Sequence, residues 1–141
     1  MDLKTKIAIG VFGAVLLYAI SRGFLKRDKG QVVDSSTAAK DGSAPSLSTE
    51  QYKNKAINIR NSLAETSGQA LFGNEYYNII TDLLQESDSD LIEIANAYAR
   101  LYPTQDYPTL YGLLQSVYTW AGGTTYALKY KLLERMKNLG L

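Results

Sequence analysis

The chain has 141 residues, 15 lysines and arginines against 14 aspartates and glutamates, a net charge of +1, and neither cysteine nor histidine. That length holds one modest domain and an appendage, and the charge balance gives no bulk excess for a nucleic-acid surface, so no specific nucleic-acid partner is expected. Without cysteine or histidine there is no disulfide, thiolate metal site, thiol nucleophile or imidazole base, which excludes the commonest catalytic pairs.

The first element is the apolar run KIAIGVFGAVLLYAISRGFLKR, whose residues 7–20 carry no charge. As a helix, fourteen residues reach about 21 Å, short of the ~30 Å hydrocarbon core. Ala19 and Ser21 also supply a small-x-small pattern, as in a cleaved signal peptide. Apolar character resumes after Arg22, however, so a nineteen-residue window opens on Ile7 and closes on Leu25. Arg22 would sit about one turn inside the far interface and snorkel to the headgroups. Lys26, Arg27 and Lys29 then make a basic stop behind the run, whereas a signal peptide carries its charge in front. Residues 1–29 are therefore expected to be a single-pass transmembrane anchor, the bilayer being the partner of the Ile7 to Leu25 run. A signal peptide is the alternative. The heavier basic flank places the remainder on the cytoplasmic or virion-interior side.

Residues 30–47, GQVVDSSTAAKDGSAPSL, are rich in Ser, Gly, Ala and Asp and poor in large apolar groups. Such a segment buries too little to offset ordering entropy, and a flexible linker is expected.

Residues 48–141 read as five amphipathic helices with no strand, so the fold class is all-α: an N-terminal transmembrane helix, a linker and a compact helical domain. The first helix opens on a capping box, Ser48 with Gln51, and carries Tyr52, Ala56, Ile59 and Leu63 on one face. The second follows Asn74 as N-cap with Tyr76, Tyr77, Ile80, Leu83 and Leu84. The third is capped by Ser87 in the run SDSD, turns Leu91, Ile94, Ala95, Tyr98, Leu101 and Tyr102 inward, and stops at Pro103. The fourth enters near Tyr107-Pro108, buries Leu110, Leu113, Leu114 and Val117, and breaks at Gly122-Gly123. The fifth carries Tyr126, Tyr130, Leu133 and Met136 and ends at Gly140.

The order of these helices, with the stretches LIEIANAYARLY and SVYTWAGGTTYALKYKLLERM, resembles a single annexin repeat. That likeness implies two helical hairpins crossed by the third helix. Annexins hold calcium on a Gly-x-Gly-Thr turn with an acidic cap between the fourth and fifth helices. Here the first turn is SGQALFG and no acidic residue lies between Asp106 and Glu134. The fold is then implied without the calcium function, and no metal or cofactor is expected. A lone repeat also exposes a face that tandem repeats bury, which implies a protein partner or self-association.

The remaining candidates are surface features. Glu86, Asp88 and Asp90 cluster before the third helix, where the spacing suits capping better than metal binding or acid–base chemistry. Among the 11 tyrosines, Tyr107, Tyr111 and Tyr118, with Trp120, bracket the fourth helix and suit an interface. Lys129, Lys131, Arg135 and Lys137 form a basic face on the fifth, against which lipid phosphate could rest. No catalytic constellation is present. The expected function is a non-enzymatic, membrane-anchored structural or adaptor protein, a plan that suits a minor membrane-associated component of a lipid-containing virus or phage. A peripheral lipid-binding module using the basic face is the alternative.

Overall fold

The computed structural model describes residues 32–64, 74–119 and 122–141. Among them are six helices and no strand: α1 Ser35–Ala38, α2 Thr49–Ala64, α3 Glu75–Gln85, α4 Asp88–Leu101, α5 Leu110–Ser116 and α6 Thr124–Asn138. The expected anchor, residues 1–29, and Trp120 lie outside the described residues. No helix among the described residues is long and apolar enough to cross a membrane.

The all-helical class is confirmed, and several local signals act as expected. At α2 the capping box closes in both directions: Gln51 N–H donates to Ser48 Oγ at 3.2 Å, and Ser48 N–H to Gln51 Oε1 at 2.8 Å. Two orphan donors of the first turn are thereby satisfied. Tyr52, Ala56, Ile59 and Leu63 are all buried, at the 3–4-residue spacing that gives the helix one inner face. At α4 the Ser87 hydroxyl accepts from Asp90 N–H at 3.1 Å, with Asp88 and Asp90 at the positive end of the helix dipole. α6 ends in a Schellman motif: Gly140 takes φ +81°, its N–H reaches Lys137 C=O at 3.1 Å, and Leu141 N–H reaches Met136 C=O at 3.0 Å.

α4 is the central element. It packs most extensively on α2, while α3 and α5 both lean on α6. Every residue from 88 to 99 except Glu93 is buried, Leu91, Ile92, Ile94 and Tyr98 completely. Burying such an aliphatic side chain stabilises the fold by about 1.5–3 kcal/mol before ordering costs.

The largest correction concerns the expected linker. From residue 32 onward it is ordered and lies along α4 as a strap containing α1. Its apolar content is small, but Val33, Ala38, Ala39 and Leu47 pack on the core and its backbone is hydrogen-bonded to α4. The domain therefore begins at least sixteen residues before Ser48.

Smaller corrections concern single residues and helix ends. Asn74 makes no side-chain cap bond. α5 stops at Ser116, well before Gly122, and the Lys129 ammonium takes up the carbonyls of Gln115 and Val117 at 3.0 and 2.6 Å. Tyr77 and Tyr130, expected inside, are exposed, and Leu132 and Lys129 hold the inner face of α6.

Candidate functional site

The strap is fastened to α4 at five residues, Asn96, Glu93, Asp88, Ser89 and Asp90. Nearest its start, Val33 N–H donates to Asn96 Oδ1 at 2.8 Å and Asn96 Nδ2 returns to Val33 C=O at 2.7 Å, a two-way amide clasp. Ser35 donates to Glu93 at 2.7 Å. At the N-terminus of α4, Lys40 and Asp41 N–H groups both reach Asp88 Oδ2, and Asp41 accepts from Asp88 N–H at 2.9 Å. Ser89 donates twice to Ser43, its N–H to the Ser43 hydroxyl at 3.0 Å and its own hydroxyl to the Ser43 carbonyl at 2.7 Å. Ser46 then donates to Asp90 through both its N–H and its hydroxyl, and Tyr52 adds a very short bond to the same carboxylate.

These bonds shape the electrostatics. The N–H of Asp88 and the Ser43 contacts hold the Asp41 carboxyl down at about 2. At Asp90, burial pushes the carboxyl up, but bonds from Ser46, Tyr52 and Ser87 outweigh it and the net shift is downward. Burial, with the Asp90 bond behind it, raises the Tyr52 phenol.

The Glu86, Asp88, Asp90 cluster is thus divided among separate partners. Glu86 pairs with Lys55, Asp88 with Arg135 at 2.8 Å, and Asp90 with Tyr52 and the strap. The three carboxylates do not converge, and among the described residues no group of acidic side chains is placed to hold a metal ion.

The basic face of α6 is split as well. Lys129 is buried and burial lowers its pKa; with two carbonyl acceptors it caps α5. Arg135 spans α6, α4 and the α3–α4 turn, reaching Asp88 and the carbonyls of Leu84 and Glu86. Only Lys131 and Lys137 face solvent. The expected four-residue stripe does not exist as a surface.

The interface tyrosines are likewise dispersed. Tyr107 and Tyr118 flank α5 on its two connecting loops and are 48% and 65% exposed. Tyr111 packs on the core. Tyr107 takes φ +58°, a left-handed conformation unusual for a bulky residue. It is held there by an anchorage that the sequence pattern does not reveal. Arg60 donates to Tyr98 Oη at 2.6 Å and Asp106 C=O at 2.7 Å, Tyr98 donates to Tyr107 C=O at 2.8 Å, and the guanidinium lies 5.2 Å from the Tyr102 ring.

Among the described residues, two hollows stand out on this frame. One, about 340 Å³, lies between the start of the strap, α4, α5 and the last turn after α6. The other, about 210 Å³, lies between α2 and α3 beside the Lys55–Glu86 pair. The first has no ionisable carboxylate or amine side chain on its wall; the second is bordered by Lys55, Asp82 and Glu86, of which Lys55 and Glu86 are already paired with each other. Comparison with protein-family models, with curated proteins and with solved structures returns no match to this chain.

Proposed function

We propose that the chain is a non-enzymatic, membrane-anchored structural or adaptor protein that presents a helical head at a bilayer surface. The observation carrying this is the nineteen-residue apolar window closed by Lys26, Arg27 and Lys29. On this reading the helices α2 to α6 follow the plan of an annexin repeat stripped of its calcium cradle, and the setting is a cell membrane or a lipid-containing virion. The exposed rings of Tyr107 and Tyr118, one on a strained loop, are the side chains a protein partner would meet first. The lipid-binding alternative loses support, because two of its four cations are occupied internally.

Alkaline carbonate extraction of membranes from cells making the full chain tests the anchor. The protein is expected to stay in the pellet, while a chain starting at residue 32 stays in the supernatant. Recovery of a soluble species beginning near Arg22 would establish the signal-peptide alternative.

A further inference from the structure

We infer that the face of the head around Val33 lies on the bilayer surface and that the hollow beside it accommodates lipid; this rests on the anchor proposed above. The distance follows from covalent geometry. Val33 is pinned to the middle of α4 by the Asn96 clasp. The basic stop reaches Lys29, and from Arg27 at headgroup level to Val32 the chain has five residues. Fully extended, they span at most about 17 Å. A flexible linker ending at Ser48 would let the head rotate freely. A clasp at Val33 does not, and it turns one face toward the membrane.

That face has the chemistry to rest there. The hollow of about 340 Å³ is bordered by Val33, Ala99, Leu110, Tyr111, Leu139 and Leu141, within the ~300–1,000 Å³ range of ligand pockets. Its polar side chains are already engaged: Asn96 by the strap backbone, and Thr109, whose hydroxyl accepts Gly112 N–H at 3.0 Å. The side chains thus offer mainly apolar contact, with Tyr111 an amphipathic ring suited to interfacial depth. The rim is also fixed, because the Schellman turn at Gly140 sets the position of Leu139 and Leu141. The hollow has a mixed lining, apolar side chains beside backbone and engaged polar groups, which suits the region between acyl chains and headgroups, and a mouth tethered within one short peptide of the headgroups favours bilayer lipid over a distant soluble ligand.

The absence of native cysteine makes every introduced one a unique label site. The full chain carrying Leu141→Cys, Val32→Cys or Asn78→Cys is spin-labelled and reconstituted into phosphatidylcholine–phosphatidylglycerol vesicles. Collisional relaxation by oxygen and by a water-soluble nickel chelate is then compared. Asn78 is exposed on α3, away from the strap, and serves as the reference. An oxygen-to-nickel ratio several-fold higher at 141 and 32 than at 78 is expected. Equal ratios at 141 and 78, in a chain that still floats with vesicles, overturn the docking and spare the anchor. A chain that fails to float overturns both. Dipolar broadening between Leu141→Cys labels without lipid protection also overturns the proposal and assigns this face to a second copy.

Discussion

α4 is buried along two flanks by two kinds of chemistry. Toward α2 it presents Leu91, Ile94 and Tyr98, all fully buried in the common core. Toward the strap it presents Asn96, Ser89, Asp88 and Asp90, equally hidden but matched almost group for group by hydrogen bonds. The apolar flank is covered by a helix that contributes its own inner face, so it opens only when the domain does. The polar flank is covered by a segment with little apolar content, so it can open alone, water replacing each lost bond. The energetic consequence is a ceiling. Damage confined to the strap seam can cost no more than the strap's own docking free energy, whereas damage to the α2 seam has no such escape.

The largest effect is therefore expected at Ile94→Ala, which removes a completely buried side chain from the α2 flank. A loss of about 3 kcal/mol follows from transfer and cavity terms together. It should appear as a lowered urea midpoint for the packed α2–α4 core. A loss no larger than that of Asn96→Ala would show that the α2 flank is not the stronger of the two.

The same contrast explains what could be read from the sequence. The apolar flank was legible because Tyr52, Ala56, Ile59 and Leu63 repeat at helical spacing opposite Leu91, Ile94 and Tyr98. The caps at Ser48 and Ser87 were legible because their bonds are local. The strap was not, since its partners lie 44 to 63 residues away and composition registers only the missing apolar bulk. Two local signs were nonetheless present. Asp34 accepts from Ser36 N–H and Asp41 from Ser43 N–H, each a carboxylate bonding backbone two residues on, which stiffens a segment otherwise read as coil. For α6, charge pattern alone could not distinguish a solvated cation from Lys129, whose stem is buried and whose ammonium caps another helix. Nor could spacing show that Arg135 ties three elements together.

Intermediate effects should come from the polar flank, and their additivity tests the ceiling. Asp88→Ala stands apart, because it strands Arg135 as well as two strap N–H groups. With side-chain exposures of 11% and 25% for Asp88 and Arg135, its cost is expected to be about 2 kcal/mol. Asn96→Ala and Ser89→Ala remove bonds to the strap, and each is expected to cost about 1 kcal/mol. Their double mutant should lose no more stability than deletion of residues 32–47, and its hydrogen exchange should quicken from Val33 to Ser46 while the α2–α4 amides stay protected. A double mutant clearly less stable than the deletion would mean the strap cannot peel independently.

The smallest expected effect is the acid sensitivity of the strap, and its sign follows from the shifts at its fastening. Asp41 has its folded pKa depressed to about 2, and Asp90 is also lowered. A group with a depressed folded pKa stabilises the folded state fully above its unfolded value, about 3.9 for aspartate, and loses that contribution as the pH falls through the folded value. The strap should therefore hold unchanged from neutral pH to about 4 and loosen between about 4 and 2. The comparison to make is the difference in urea midpoint between a chain starting at residue 32 and one starting at Ser48, at pH 5 and at pH 2.5. That difference should shrink at the lower pH. Asp41→Asn should reduce it at pH 5 and flatten its decline, because the amide keeps the shape but not the charge that the Asp88 and Ser43 N–H groups favour. Since Asp41 is exposed, the change should be small beside that of Ile94→Ala. A difference that stays constant from pH 5 to 2.5 would remove the carboxylates from the account and leave the strap held by the Asn96 clasp and its few apolar contacts.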